Sequence, residues 1–138
     1  MSDIRNIFDI AGRAMSAQMT RMNTVASNLA NANSLAGSKE EAFRALRPVF
    51  ATEFSDQIHQ NGVSTVNVEQ VVQLDREPTR LFQPDHPAAD KDGYVYQAAV
   101  DTDEEMVEML EASRQYQNNL EVVSTLRTLM ARTVNMGK

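Results

Sequence analysis

The chain has 138 residues, of which 42% are hydrophobic and only 6% aromatic, and it contains no Trp and no Cys. Its net charge of −6 argues against nucleic acid as a partner, and the absence of cysteine excludes a disulfide framework and thiol catalysis. No apolar run is long enough to cross a bilayer, and the sequence opens without the basic and apolar regions of a cleaved signal peptide. So little bulky apolar material predicts one modest domain that relies on neighbouring molecules for part of its core.

The first predicted element is a long helix over residues 3–33, with Ser2 or Asp3 as its N-cap. Two interleaved sets of residues recur at every seventh position, and together they form the seam of a helix that packs along another helix. One set is Phe8, Met15, Met22 and Leu29, and the other is Ile4, Ala11, Gln18, Val25 and Ala32.

A polar stripe lies beside this seam, because Thr24, Ser27, Asn28 and Asn31 follow helical spacing. Asparagine is a mediocre helix former, since its side chain competes for backbone hydrogen bonds. We interpret the stripe as a packing surface whose amides find partners on neighbouring chains. The alternative is a fraying helix end that enters a loop through a left-handed cap, a position to which Asn33 is also suited.

The composition changes between Gly37 and Gly93, a region that holds every proline of the chain and none of its methionines. Residues 34–40 are predicted to be a polar connector, and an Asn61-Gly62 pair is typical of a hairpin turn. We predict a small antiparallel β region, without a deep pocket, at residues 34–100. Its strands are expected at Pro48–Phe54, 63–74, Arg80–Gln83 and Tyr94–Tyr96.

An acidic loop within this region brings Asp85, His86, Asp90 and Asp92 together in eight residues. Such a cluster can bind a divalent cation, but its spacing departs from the EF-hand pattern, and the neighbouring prolines favour a plain turn. A metal site therefore stays only the alternative, and we expect no cofactor. The sequence also lacks a phosphate-binding loop, a nucleophile elbow and a zinc-protease motif, which argues against an enzyme.

The last predicted element is a helix from Thr102 to the end of the chain, opened by a capping box of Thr102 and Glu105. A second apolar line widens its stripe toward the C-terminus, although a two-helix seam needs only a narrow stripe. We therefore predict that one or more of Leu126, Leu129 and Met130 contact a different subunit. The second line consists of Val122, Leu126, Leu129 and Met136.

Three blocks of the sequence resemble the bacterial flagellar rod and hook proteins. The first is Met22-Asn23 followed by Ala26-Ser27-Asn28-Leu29-Ala30-Asn31-Ala32-Asn33. The second is the loop Asp85-His86-Pro87-Ala88-Ala89-Asp90-Lys91-Asp92-Gly93-Tyr94-Val95, which is similar to that of proximal-rod proteins of the FlgC type. The third is Glu104-Glu105-Met106-Val107-Glu108-Met109 with Ala112-Ser113-Arg114-Gln115-Tyr116-Gln117-Asn118-Asn119. Because the blocks occur in the same order, the resemblance covers most of the chain.

The resemblance implies an α+β protein whose terminal helices, within residues 1–33 and 101–138, pair as a coiled-coil domain, while residues 34–100 project outward. It implies a structural subunit that polymerises around an export channel into the proximal rod of the flagellar basal body. The implied partners are other rod proteins, the hook–basal-body junction protein and further copies of the chain, without nucleic acid or membrane insertion. The implied route is the flagellar type III export apparatus, without a cleaved leader.

Two groups of residues carry this hypothesis. The signature loop is represented by Asp85, His86, Pro87, Asp90, Asp92, Gly93 and Tyr94. The residues expected to pack between subunits are Met22, Ser27, Asn28, Leu29, Asn31, Asn33, Leu126, Leu129 and Met130. Two alternatives stay open: a coiled-coil adaptor or export chaperone, which would lack the loop, and a metal-dependent cell-wall hydrolase built around it.

Overall fold

A computed structural model describes residues 2–53 and 65–137, and it confirms the α+β class, with two long terminal helices and short antiparallel strands between them. No helix in the described part of the chain is long and apolar enough to span a membrane. In chain order the elements are α1 (Ser2–Asn31), β1 (Leu35–Ala36), β2 (Leu46–Glu53), β3 (Thr65–Gln73), β4 (Thr79–Phe82), β5 (Tyr94–Gln97) and α2 (Thr102–Met136).

The two helices pack against each other in antiparallel orientation along most of the length of α1. The predicted set at every seventh residue faces α2: Ala11, Val25 and Ala32 are buried, and Gln18 donates to Gln115 Oε1 at 2.9 Å. Alanines at the interface allow the two backbones to approach closely. The other set, Phe8, Met15, Met22 and Leu29, is only half-buried and forms the margin of the seam.

Helix α2 begins at Thr102, so its N-cap is Asp101 and not Thr102 as predicted. The Asp101 backbone is extended, and its carboxylate accepts from the N–H groups of Asp103 and Glu104. A carboxylate is favoured there because it also meets the positive end of the helix dipole. Glu105 does not close a capping box, because its side chain is buried between the helices.

A three-stranded antiparallel sheet, in the order β1-β5-β4, is connected by backbone hydrogen bonds to the segments that lead out of α1 and into α2. Strand β1 lies in the segment predicted to be a polar connector, where Leu35 and Ala36 pair with Gln97 and Tyr96. The strand forms because the extended segment before α2 offers it a partner edge. Small side chains fill the core here: Ala42, Ala45, Val95, Ala98 and Ala99 are buried.

Strands β2 and β3 form a separate antiparallel pair, as predicted, with a bulge between Val49 and Phe50. This pair packs back along α1, and the outward projection of residues 34–100 in an assembled rod stays a prediction. Ala51 and Val68 line a shallow cleft with Ala17, and Arg13 contacts Thr65 Oγ1 at 3.4 Å. A two-stranded ribbon is marginal alone, so it gains stability by covering one side of a helix. The predicted Asn61-Gly62 turn lies outside the described residues.

Candidate assembly surfaces and the polar junction

A buried asparagine connects α1 to the start of β2 and to the start of α2. Asn28 is completely buried; its Oδ1 accepts from the Leu46 N–H at 2.8 Å, and its Nδ2 donates to the Leu46 carbonyl at 2.9 Å. The same Nδ2 donates to Glu105 Oε2 at 2.9 Å. The amide thus satisfies both backbone groups of one residue and a carboxylate, all within its own chain. We call Asn28, Arg47, Arg76, Glu104 and Glu105 the polar junction.

Glu105 is the charged group at the centre of this junction and has no exposed surface. Its Oε1 lies 2.6 Å from Arg47 Nη1, but the geometry is that of an ion pair, because no N–H is directed at the oxygen. A buried carboxylate is costly unless it is paired, so Arg47 and Asn28 are both needed to hold its charge. The junction therefore depends on contacts between residues that are far apart in sequence.

Glu104 joins β2, and the segment that follows β3, to α2. Arg76 donates to its two carboxylate oxygens at 2.7 and 2.9 Å, and Arg47 donates to Oε1 at 3.2 Å. The hydrogen bond from Arg76 lowers the pKa of Glu104, and the same bond raises the pKa of Arg76. Because both side chains are slightly more than a third exposed, solvent screens this pair and limits its contribution to stability.

For Asn28 the structure corrects the interpretation of the polar stripe, whereas for Asn31 and Asn33 packing between subunits stays a prediction. Asn28 finds its partners inside the chain, because the packing of β2 and α2 against the end of α1 encloses it. Asn31 donates to the Ser27 carbonyl of its own helix at 2.8 Å. Asn33 is exposed in the turn after α1 and is not in the left-handed conformation, since Gly93 alone among the described residues has a positive φ.

The residues expected to pack between subunits on α2 fall into two classes of exposure. Leu126 and Met130 are half-buried, whereas Leu129 is 51% exposed. Val122 and Met136 are also exposed, at 47% and 86%. Among the described elements, α1 alone packs along the length of α2, while Arg47 of β2 reaches its first turn at Glu104 and Glu105, so this surface is open in the single chain. We call Val122, Leu126, Leu129 and Met136 the C-terminal seam.

The signature loop is held by its own backbone and by Asp90. The Asp90 carboxylate accepts from the N–H groups of Asp92 and Tyr94 at 3.0 and 2.8 Å. Gly93 has a φ of 82°, and an added Cβ there would lie 3.0 Å from Phe82 and Pro84. Only glycine fits this turn without strain. The loop thus brings Tyr94 back into the sheet opposite Phe82.

The loop side chains do not assemble a cation site. His86 Nδ1 accepts from the Ala88 N–H at 3.0 Å, and Asp85 and Asp92 are exposed. Within residues 2–53 and 65–137, no group of three His, Asp or Glu side chains is placed to bind a metal. The ring of Tyr94 instead packs edge-on against Phe82, with centroids 5.1 Å apart, and lies beneath the Arg80 guanidinium at 3.6 Å. These contacts are those of a structural turn.

Comparison with known proteins gives matches over almost the whole chain. The family described as "Flagella basal body rod protein" matches residues 8–34, and that described as "Flagellar basal body rod FlgEFG protein C-terminal" matches residues 91–136. The chain is similar to the flagellar basal-body rod protein FlgC of Yersinia enterocolitica, with 45% identity over 96% of this chain and 97% of the relative. It is 40% identical to FlgC of Salmonella typhimurium with the same coverage, and 37% identical to FlgC of Aquifex aeolicus over the full length of both.

Proposed function

This chain belongs to the FlgC family of flagellar basal-body rod proteins, and from that premise we propose that it is a structural subunit that polymerises through its two terminal helices into the rod. Its partners are other rod proteins, the hook–basal-body junction protein and copies of itself. It reaches the rod through the flagellar type III export apparatus. Its role is mechanical, to build and stiffen a shaft, and it performs no catalysis.

The two rival functions lack support. A coiled-coil adaptor or export chaperone would share the helices alone, whereas the relatives match through the signature loop as well. A hydrolase built around the loop would need its acidic groups free, yet the Asp90 carboxylate is taken up by backbone N–H groups.

The observation that carries the proposal is the open C-terminal seam on α2. Leu129 and Met136 are more than half exposed, and they recur with Val122 at every seventh residue. That repeat is typical of a helix that packs against another helix. A soluble monomer that leaves such a line uncovered is prone to association, so a subunit that exists to polymerise explains the pattern.

The test compares Leu129→Ala with Leu126→Ala. Because Leu129 is half exposed, its truncation should change the free energy of unfolding of the dilute chain by less than about 0.5 kcal/mol. Leu126 is half-buried, so its truncation should cost about 1 kcal/mol, less than a fully buried leucine. We expect Leu129→Ala to lower incorporation into basal bodies, and with it swimming motility, while the monomer stays as stable as the original. Urea unfolding and immunoblots of isolated basal bodies are the measurements.

Thr125→Ala is the matched control, since Thr125 is exposed on the same helix but lies outside the seam. It should leave both stability and incorporation unchanged. If Leu129→Ala also leaves incorporation unchanged, assembly does not use the C-terminal seam. If the chain is absent from isolated basal bodies altogether, the proposed function itself fails.

A further inference from the structure

The helix pair has a second open apolar surface, which we call the methionine face: Met15, Met19 and Met22 of α1 with Met106, Leu110 and Leu120 of α2. Met106 and Leu110 are each 62% exposed, and Met19 and Leu120 each 49%, while Met15 and Met22 are half-buried. Unbranched methionine side chains adapt to a partner's shape, which suits a contact surface better than a fixed core.

This face lies on the side of the helix pair away from the β2–β3 ribbon. At about 100° per residue, Met19 is roughly 160° around α1 from Ala17, which lines the cleft with the ribbon. On α2, Met106 is likewise roughly 160° from Glu104, which pairs with the arginines at the base of the ribbon. The ribbon therefore covers one flank of the pair and leaves the methionine face open on the other.

The C-terminal seam lies on the flank opposite the methionine face. Glu108, Gln115, Val122, Leu129 and Met136 recur at every seventh residue and so follow one line along α2. The polar part of the line is paired within the chain, since Glu108 accepts from Arg21 at 2.6 Å and Gln115 from Gln18 at 2.9 Å. The apolar part continues the same line beyond these contacts and is exposed.

The two open surfaces share a seven-residue repeat, and small residues on α1 can accommodate bulky side chains of the C-terminal seam. Along α1, the exposed positions Gly12, Met19 and Ala26 recur at every seventh residue, so that Gly12 and Ala26 continue the line of Met19 on the methionine face. Within residues 2–53 and 65–137, a Cβ added at Gly12 would meet no atom within 4 Å, so a bulky side chain from outside has room there. The C-terminal seam repeats at the same interval but carries bulky side chains. In antiparallel orientation, Met136 lies over Gly12 when Leu129 lies over Met19 and Val122 over Ala26.

We propose that the methionine face of one copy binds the C-terminal seam of a second copy, in the register that places Leu129 against Met19. The inference rests on the proposed function, since it names the partner for the same open helix surface. Because the two surfaces occupy opposite flanks, the contact is heterologous, and it repeats from copy to copy without closing on itself. In a single chain Leu129 runs level with the start of α1, so the second copy is displaced along the helix axis by about 15 residues, or about 22 Å.

The test is disulfide cross-linking in assembled basal bodies, and the cysteine-free chain makes it unambiguous. Met19→Cys and Leu129→Cys variants, carrying different tags, are expressed together in a strain that lacks the chromosomal gene. Two cysteines link only when their Cα atoms come within about 7 Å. We expect oxidation to shift the two tags into one band at twice the monomer mass, and reduction to reverse that shift. The matched control replaces Met19→Cys by Arg114→Cys, an exposed position on α2 that belongs to neither surface.

Three outcomes overturn the inference. Linked pairs of two Leu129→Cys chains would show a symmetric contact, and equal linkage with Arg114→Cys would show no preferred register. If Leu129→Cys links to other rod proteins that carry added cysteines, and not to Met19→Cys, a different protein occupies the C-terminal seam. Linkage is measured relative to the amount of each variant that enters basal bodies, because Leu129→Cys, like Leu129→Ala, should lower incorporation. In all three cases the untagged, unsubstituted chain is still recovered from basal bodies, so the proposed function stands. Absence of the untagged, unsubstituted chain from basal bodies would overturn both.

Discussion

The two ends of the helix pair are built on different principles. At the end where α1 meets β2 and α2, Asn28 and Glu105 are completely buried, and their polar atoms are matched by groups of the same chain. At the other end, Leu129 and Met136 are apolar and exposed. The contrast shows that the polar junction stabilises the fold of the single chain, whereas the C-terminal seam is available for contact with another molecule. Polar burial gives a unique arrangement at the junction, while unmatched apolar surface is left available for other molecules.

The largest expected effect on the free energy of unfolding is at the polar junction. Glu105→Ala leaves Arg47 without its buried partner and should lower the free energy of unfolding by about 3 kcal/mol or more. Glu111→Ala is the control on the same helix. The Glu111 carboxylate likewise pairs with an arginine, Arg21, but the Glu111 side chain is 53% exposed, so the loss of this pair should cost less than about 1 kcal/mol. Urea unfolding of both variants measures the difference. Equal losses would show that burial does not distinguish the junction from a surface ion pair.

The next effect separates the two asparagines. Asn28→Ala removes the acceptor of the Leu46 N–H and a donor from Glu105, while the Leu46 carbonyl keeps its hydrogen bond from Arg47. We expect a loss of about 2 kcal/mol. Asn31→Ala removes only a hydrogen bond to its own helix, and the better helix propensity of alanine should keep the change within about 0.5 kcal/mol. Thermal unfolding followed by circular dichroism makes the comparison. Similar melting temperatures for the two variants would contradict the assignment of Asn28 to the folded core.

Substitutions at two glycines should change the stability of the chain in opposite directions. Gly12→Ala in the open part of α1 should stabilise the dilute chain by about 0.5–1 kcal/mol, because none of the residues that the structure describes contacts the new methyl group. Gly93→Ala should destabilise it by about 1–3 kcal/mol, because φ is 82° and the methyl group meets Phe82 and Pro84. Chemical denaturation of the two variants should therefore give shifts of opposite sign. A loss of stability in Gly12→Ala would indicate an intrachain role for that position.

The smallest effect is the pH dependence of the Glu104 pair. Its pKa in the folded state is lowered, first by the hydrogen bond from Arg76, so the unfolded state binds more protons between the two pKa values. The stabilisation is therefore complete above the unfolded-state value of about 4.3, and it is lost as pH falls through the lower folded-state value. We expect less than about 1 kcal/mol from this exposed pair. Urea midpoints from pH 6 to pH 2 should be flatter for Glu104→Gln than for the original chain; identical profiles would contradict the coupling.

The local features of the fold were predictable from the sequence. Both helices, the β2–β3 pairing and the side of α1 that faces α2 follow from repeats of seven or two residues and from the positions of glycine and proline. The cap was misplaced by one residue, because Asp101 and Thr102 are both good caps and only the backbone decides between them. The strand at Leu35 has no pattern of its own, since it exists through pairing with β5.

The polar junction was not predictable, because its partners are separated by 28 to 77 residues along the chain. One signal was available: Glu105 lies seven residues before the buried Ala112, so it occupies an inward-facing position of α2. A charged residue at such a position requires a buried partner. The sequence does not show that the partner is Arg47, because the ribbon reaches the helices through packing that no local pattern encodes.

The span between Asn28 and Glu105 has a consequence for the order of events during synthesis. When Asn28 leaves the ribosome, its carboxylate partner is still 77 residues away. At about 5–20 residues per second, α1 spends roughly 4–15 seconds without the group that encloses its end. During that time an amphipathic helix with an unpaired amide is available to any other surface it meets. The contact between Asn28 and Glu105 thus stabilises the finished subunit, but during synthesis α1 must wait for most of the chain to be made before this contact can form.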